Sequence, residues 1–342
     1  MPFVSANTPS GPASFYYTIS TPTHASARRI NPSLPTVLFL HPVYVGHHIY
    51  HPQFADPNLR RFNLVALDAR LHGKTIGEVP SDFRRAEAAE DVYNFMEALL
   101  LPPCHVVGLS MGACVALQLS VAHPERVLSM SMVSPLPLQE PADVAEGRTE
   151  IYECWAESQA DPEHIDEGAL LDAVCGALQL GFNGQQTSLI QATIQLTVPD
   201  AMRNWTKGRL EELHTVSVKF FCDRKPHPPA LLQRVQCPIN LIHCGADIAY
   251  PIDFTEELFD RMQGAGLNVR LSCVADAPHF GSVTKPAEVN KLILDFVLQN
   301  TKGPVPPAMP NVTSPFEDEF AEQGCQHLGL ESDDSDDDIT FN

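Results

Sequence analysis

The sequence predicts an α/β fold: a mostly parallel, doubly wound sheet with an inserted helical cap and a disordered acidic C-terminal tail. Three observations predict it. Short β-branched or apolar runs alternate with helical patterns over residues 36–133 and again over 239–298, as expected of parallel strands covered by helices on both faces. The alternation stops between about Pro135 and Gln236. After Lys302 the composition turns to proline and then to acid.

The elements follow in order. Thr36–His41 (TVLFLH) and Phe62–Asp68 (FNLVALD) read as buried strands, being short, apolar and rich in strand formers. Ser81–Leu101 sets Ala88, Val92, Phe95, Met96 and Leu99 roughly on one side of a helix, and Pro102 and Pro103 stop it. His105–Leu109 is a strand, Met111–Ala122 a helix and Val127–Val133 a strand. Four helical patterns then follow without a strand: Val144–Ser158, Glu167–Leu180, Gln185–Thr197 and Ala201–His214. They are not needed to close the sheet, so they are expected as a cap. Strands return at Ile239–His243 and Val269–Val274, each followed by a helix, Phe254–Met262 and Ala287–Leu298. The chain thus divides into a core (14–134 and 237–300), an insertion (135–236) and a tail (303–342). GPVPPAMPNVTSP and ESDDSDDD show no apolar periodicity, so the tail is expected to be disordered. Ser332 and Ser335, each followed by aspartates, are candidate phosphorylation sites.

Charge and composition exclude several classes. The 342 residues are 44% hydrophobic and 19% charged, enough apolar content for a large core. Ten of the 42 acidic residues fall after Lys302, so the first 302 residues hold 32 acidic against 22 basic side chains, a net of −10. That sign gives no support for binding nucleic acid, which needs lysine and arginine against phosphate. No apolar run approaches the roughly 18–20 residues of a membrane span. MPFVSANTPSGPASFYY has no basic patch leading into an apolar stretch, so no secretory signal is read. Nine cysteines without CxxC or zinc-like spacing read as reduced thiols, and hence as a cytosolic protein.

Gly108-Leu109-Ser110-Met111-Gly112 matches G-x-S-x-G between a strand and a helix. That context suits a nucleophile elbow, in which a sharp turn lifts the serine out at the C-terminal edge of the sheet. The same residues also fit an ordinary strand-to-helix turn with a capping serine. A nucleophilic serine needs a base and a carboxylate to orient it. Asp247, in CGAD after the strand Ile239–His243, and His279, in APHFG after Val269–Val274, both lie on loops at that same edge. Read singly, each also fits a turn or loop residue; the two together with Ser110 fit a catalytic set. His41, His47, His48 and His51 cluster in HPVYVGHHIYH without a neighbouring Cys or carboxylate, so a pocket wall is expected there and no metal site.

LFLHP, LDARLHGKT, GLSMG, GADIAYP and APHF together make residues 14–300 similar to an α/β-hydrolase of the esterase, lipase and C–C-hydrolase branch, with a helical cap. The resemblance implies Ser110 as nucleophile, His279 as general base and then acid, and Asp247 as the carboxylate that orients the imidazole. The alternative acid position of some relatives reads Val133-Ser134-Pro135 here, with no carboxylate before Glu140. A serine at the elbow sets the chain apart from the dehalogenase and epoxide-hydrolase branches, which attack through a carboxylate. The oxyanion hole would use the backbone N–H of Met111 and one from the loop after Thr36–His41. Relatives have His-Gly there, whereas this chain has His41-Pro42; proline has no N–H, which makes Val43 the expected donor and Tyr44 the next. In LDARLHGKT, Leu71 replaces the usual glycine, and Asp68 and Arg70 are expected to pair near the surface. Tyr44, His47, Trp155 and Trp205 are expected in the substrate pocket, with Tyr152 and Phe182 as further aromatic lining.

The function so implied is a cytosolic serine hydrolase acting on an ester, thioester or lactone of a small to medium molecule, without a cofactor. The same residues would serve a C–C hydrolase or an acyltransferase. A non-catalytic binding module using the acidic tail is the reading from another class, and the complete Ser-His-Asp set stands against it.

Overall fold

The computed structural model describes residues 2–161 and 164–325. Among them nine strands form one sheet: β1 (Phe3–Thr8), β2 (Gly11–Ser20), β3 (Thr36–Leu40), β4 (Asn63–Leu67), β5 (Ile76–Gly77), β6 (Cys104–Leu109), β7 (Val127–Val133), β8 (Ile239–Cys244) and β9 (Val269–Val274). The order is β1-β2-β4-β3-β6-β7-β8-β9, with β5 beside β2. From β4 to β9 every neighbouring pair is parallel; β2 pairs antiparallel with β1, β4 and β5. Every residue of β3, β4, β6 and β8 is buried. Burial on both faces is why these strands are continuous apolar runs rather than alternating ones.

The helices α1 (Arg85–Ala98), α2 (Met111–Ala122), α7 (Ile252–Gly264) and α8 (Pro286–Gln299) cover the sheet. Between β7 and β8 lies the helical insertion: α3 (Ala142–Ser158), α4 (Glu167–Phe182), α5 (Ser188–Asn204) and α6 (residues 210–222, with a π-helical stretch at Thr215–Lys219). Asp166 caps α4 by accepting from Gly168 N and Ala169 N, and Thr187 caps α5 by accepting from Ile190 N.

The structure departs from the sequence expectations in three places. The sheet begins at Phe3 rather than near residue 14, because β1 and β2 form an antiparallel hairpin. The break expected between Thr197 and Ala201 is absent. Pro199 removes only its own hydrogen bond to the Gln195 carbonyl, and α5 runs through it to Asn204. The chain turns at Trp205 instead, whose carbonyl accepts from Trp155 Nε1 at 2.8 Å and whose own Nε1 donates to Leu71 O at 2.7 Å.

The third departure concerns the tail. Residues 303–325 lie along the body and end in a short helix, α9 (Glu317–Glu322). The reason sits in PFEDEF: Phe316 and Phe320 are four residues apart, so one helical face is aromatic, while of the acids between them Asp318 is exposed and Glu319 pairs with Lys74 at 3.4 Å. Both rings are buried. Phe316 packs edge-on to His47 (5.2 Å) and Phe54 (5.5 Å), and Phe320 stacks on His51 at 4.4 Å and 11°. Arg60 donates to Thr313 O and Arg61 to Pro306 O, each at 2.6 Å. The disordered tail expected from residue 303 is therefore corrected for residues 303–325; ESDDSDDD, with Ser332 and Ser335, lies outside the described residues.

Candidate active site

The turn from β6 into α2 sets Ser110 at the C-terminal edge of the sheet. Its backbone takes φ +53° and ψ −111°, a strained conformation for a residue with a side chain. Two glycines make the turn possible. A Cβ on Gly108 would lie 2.3 Å from Gly112 O, and one on Gly112 would lie 1.9 Å from Leu40 O. Helix α2 can press onto strands β6 and β3 only without those methyl groups.

The loops after β8 and β9 bring the other two residues to Ser110. With His279 Nδ1 protonated and donating to Asp247 Oδ2 at 2.5 Å, Nε2 is free to accept from the Ser110 hydroxyl at 2.8 Å. The second carboxylate oxygen, Oδ1, accepts from Ala249 N and Tyr250 N, both at 3.0 Å. Ser134 Oγ donates to the His279 carbonyl at 2.5 Å and so holds the histidine loop against the end of β7. A hydroxyl, an imidazole and a carboxylate in one hydrogen-bonded line can move a proton from oxygen to nitrogen and stabilise the resulting cation. Ser110 and His279 are each 1% exposed, so this line is shielded from water.

Met111 opens α2, and its N–H has no partner inside the helix. Val43 is buried on the loop after β3. That loop is pinned by His41, which donates from Nδ1 to Pro42 O (2.6 Å) and accepts at Nε2 from Ala69 N (2.8 Å). Burial, reinforced by His72, pushes the His41 pKa down to about 3, so the ring is neutral as this bonding requires.

The pocket expectations divide. Tyr44, Trp155 and Trp205 line a narrow apolar cavity of about 70 Å3, with Tyr152 and Phe182 also on its wall. Ser110 and His279 do not line it themselves, whereas Phe280, next to His279, does. A second cavity, of about 40 Å3, is lined by Met111 and Gly112 together with Leu40 and His41. His47 is not on the wall of the larger cavity. Its Nδ1 and its backbone N both bond Asp68 Oδ1 at 2.7 Å, and Nε2 meets Thr18 Oγ1 at 2.9 Å. The expected Asp68–Arg70 pair is likewise not formed. Both residues are buried, and Arg70 Nε donates to Asp91 Oδ2 at 2.6 Å while Asp68 also accepts from Lys74 N at 2.9 Å. Burial alone would raise the Asp68 pKa, but His47 and these donors hold it below the usual carboxylate range. Leu71, where relatives have glycine, sits at φ +63° and is fully buried. His47, His48 and His51 point to different partners, and among the described residues no group of three or more His, Cys, Asp or Glu is placed to hold a metal ion.

A polar cluster beside the site is not legible in the sequence. Glu140 accepts from Arg148 Nε (2.6 Å), Arg224 Nη2 (3.0 Å) and Tyr250 Oη (2.7 Å). One signal was available: Arg148 falls on the same helical stripe as Val144 and Trp155, the inward face of α3.

Comparison with known proteins adds the following. A family model described as the alpha/beta hydrolase fold matches residues 35–172, a range that contains Ser110 but neither Asp247 nor His279. The dihydrolipoyllysine-residue acetyltransferase component of the acetoin cleaving system of Cupriavidus necator is 39% identical over 102 residues, which is 30% of this chain and 26% of that protein. The chain thus spans about a quarter of that relative's length. The 3-oxoadipate enol-lactonase 1 of Acinetobacter baylyi is 26% identical over 269 residues, covering 77% of this chain and 88% of the lactonase. Among solved structures, a thermophilic esterase from Thermogutta terrifontis matches with a TM-score of 0.66 at 14% identity, over 88% of this chain and 100% of the esterase, a likeness of fold.

Proposed function

We propose that the chain, whose residues 35–172 match a family model described as the alpha/beta hydrolase fold, is a serine hydrolase cleaving an ester, thioester or lactone of a small to medium organic molecule. The observation that carries the reading is the hydrogen-bonded line from Ser110 through His279 to Asp247. In this mechanism Ser110 Oγ attacks the carbonyl carbon while His279 Nε2 takes its proton. Asp247, itself fixed by two backbone donors, stabilises the imidazolium. The N–H groups of Met111 and Val43 hold the oxyanion. His279 then returns the proton to the leaving oxygen or sulfur. Water, deprotonated by the same nitrogen, releases the acid from Ser110.

The helical insertion serves as the cap. The apolar cavity under the insertion and the smaller one lined by Met111 and Gly112 suit an acyl chain and a leaving group. Ser110 is sealed, so substrate entry requires the insertion to shift relative to the sheet. Among the described residues the cysteines form no disulfide, which supports a reducing, cytosolic setting. A fluorophosphonate probe tests the reading: it should label Ser110 in the wild-type protein and nothing in Ser110→Ala, and a panel of nitrophenyl esters of graded acyl length should be turned over by the former alone. Failure of the probe to label Ser110, with no ester hydrolysed, would overturn it.

A further inference from the structure

Arg148 stands on helix α3 of the insertion and is 1% exposed. Its guanidinium meets three partners. Nε donates to Glu140 at 2.6 Å, and Nη2 donates to Tyr250 Oη at 2.9 Å. It also bonds the hydroxyl of Tyr44, which has no other hydrogen-bond partner. The face of Phe221 packs 3.6 Å from the guanidinium carbon and fixes its plane. Two of the three partners, Tyr44 and Tyr250, sit on loops that the reaction uses.

Tyr44 lies on the loop after β3 and directly follows Val43, the expected oxyanion donor. Its backbone is at φ +73°, which a residue with a side chain keeps only where its surroundings impose it. Tyr250 lies on the loop after β8. Its N–H donates to Asp247 Oδ1 at 3.0 Å, and its ring stands 5.1 Å from that of His279. The Tyr250 hydroxyl is engaged twice, donating to Glu140 Oε1 at 2.7 Å while it accepts from Arg148. The strand order β3-β6-β7-β8 sets Ser110, just past the end of β6, between the strands that carry these two loops. A guanidinium suits such a bridge, because its donors form a rigid planar fork. Glu140 also holds Arg224 at 3.0 Å, so this carboxylate stays paired if Arg148 lets go.

We propose that Arg148 is a positioning residue that ties both loops to the insertion, so that the oxyanion donor and the catalytic acid are held in place only while the insertion is seated on the sheet. It touches no reacting atom in this role. Through Tyr44 it sets the Val43 N–H; through Tyr250 it sets Asp247 and, behind it, the His279 ring. The shift of the insertion that admits substrate draws the guanidinium away and loosens both loops. Closure restores them, and hydrolysis is confined to the sealed state. The inference rests on the serine-hydrolase reading.

The experiment measures kcat, KM and the pH profile on a short-chain nitrophenyl ester, together with the thermal midpoint of each variant. Arg148→Lys keeps the charge but cannot serve three partners from one plane. It should lower kcat by about 10²-fold, the scale of an ångström misplacement at the reacting centre, and change KM by less than about threefold. Tyr44→Phe and Tyr250→Phe each cut one arm and should each lower kcat by about tenfold. Tyr250→Phe should also move the acid limb of kcat/KM to lower pH by roughly half a unit, because a loosened Asp247 stabilises the His279 imidazolium less. Tyr44→Phe should leave that limb in place. Adding Tyr250→Phe to Arg148→Lys should cost little more than Arg148→Lys alone, since that arm is already cut. A residue that only supports the fold would lower the midpoint and scale activity equally at every pH. Should Arg148→Lys fail to fold, the two phenylalanine variants decide. Wild-type kcat in a folded Arg148→Lys, or an unmoved acid limb in Tyr250→Phe, overturns the clamp while the hydrolase reading stands. A wild-type protein that hydrolyses no ester and is not labelled at Ser110 overturns the hydrolase reading and the clamp with it.

Discussion

Phe320→Ala, and beside it truncation after Lys302, should destabilise the protein even though both changes lie beyond the last sheet element. Phe320 is 1% exposed and stacks on His51 at 4.4 Å. Replacing a buried phenylalanine by alanine typically costs about 3–5 kcal/mol. Here a ceiling applies. Helix α9 is six residues long and near the end of the described chain, so it can detach without unfolding the sheet, and the loss cannot exceed its docking free energy. That places Phe320→Ala at about 2–3 kcal/mol. With an unfolding entropy of about 2.1 cal/mol/K per residue over the roughly 320 described residues, the thermal midpoint should drop by about 3–4 °C. Truncation should do more, since it also removes Phe316 and the Arg60 and Arg61 contacts and uncovers Phe54. It should raise KM as well, because α9 packs on α5, which supplies Thr193 and Thr197 to the cavity wall. Differential scanning calorimetry and short-chain ester kinetics on the three proteins decide the point. If truncation changed neither midpoint nor KM, the docking of residues 303–325 would be energetically empty and the argument refuted.

The remaining predictions concern the site and its histidines. Ser110→Ala should fold normally and lose kcat by about 10⁴–10⁶ on a nitrophenyl ester, the range for removing such a nucleophile; wild-type turnover would dismiss Ser110. Asp247→Asn should lower kcat by about 10⁴ with little loss of stability, whereas Asp68→Asn, which weakens contacts to His47 and Lys74 N, should leave kcat nearly intact and cost about 1–3 kcal/mol; the opposite pattern in kcat would reassign the acid. His41 and His227 are lowered to about 3, and His48, His51 and His105 to about 4, in each case chiefly by burial. Their folded pKa values lie below the unfolded value near 6.5, so below that pH the unfolded chain binds protons that the folded one refuses. Stability is full above about pH 6.5 and should decline as pH falls toward 4, by up to about 1.4 kcal/mol per pH unit for each histidine. A thermal midpoint that stays flat from pH 7 to pH 5 would contradict their burial as neutral rings.

How the sequence relates to this structure is clearest at individual elements. Val127–Val133 and Val269–Val274 have the bounds their patterns predicted, and Met111–Ala122 does too, because hydrophobic period and run length are written into neighbouring residues. The hairpin of β1 and β2 was not legible. FVSANT holds only Phe3 and Val4 as large apolar residues before small and polar ones, and none of its first five residues is buried, so no apolar run announces it. Phe316 and Phe320 are not legible as core residues because two aromatic residues in an acidic, proline-flanked stretch do not amount to a core; only the rings of Phe54 and His51 across from them make one.

The sequence by itself determined the alternation of strands and helices, the position of the insertion, and the turn around Ser110, where glycines at 108 and 112 leave few other conformations. It also put Asp247 and His279 on loops at the same sheet edge. Tertiary structure alone decided which groups meet. Asp68 takes His47 rather than Arg70, Arg70 takes Asp91, and Glu140 collects two arginines from the insertion, one on helix α3 and one in the loop after α6. The physical reason is one of range. Backbone periodicity and turn geometry act over a few residues and are therefore visible in a local string. A buried polar group takes whichever partner satisfies it at about 3 Å once water is gone, and that partner is set by how the layers of the whole fold stack.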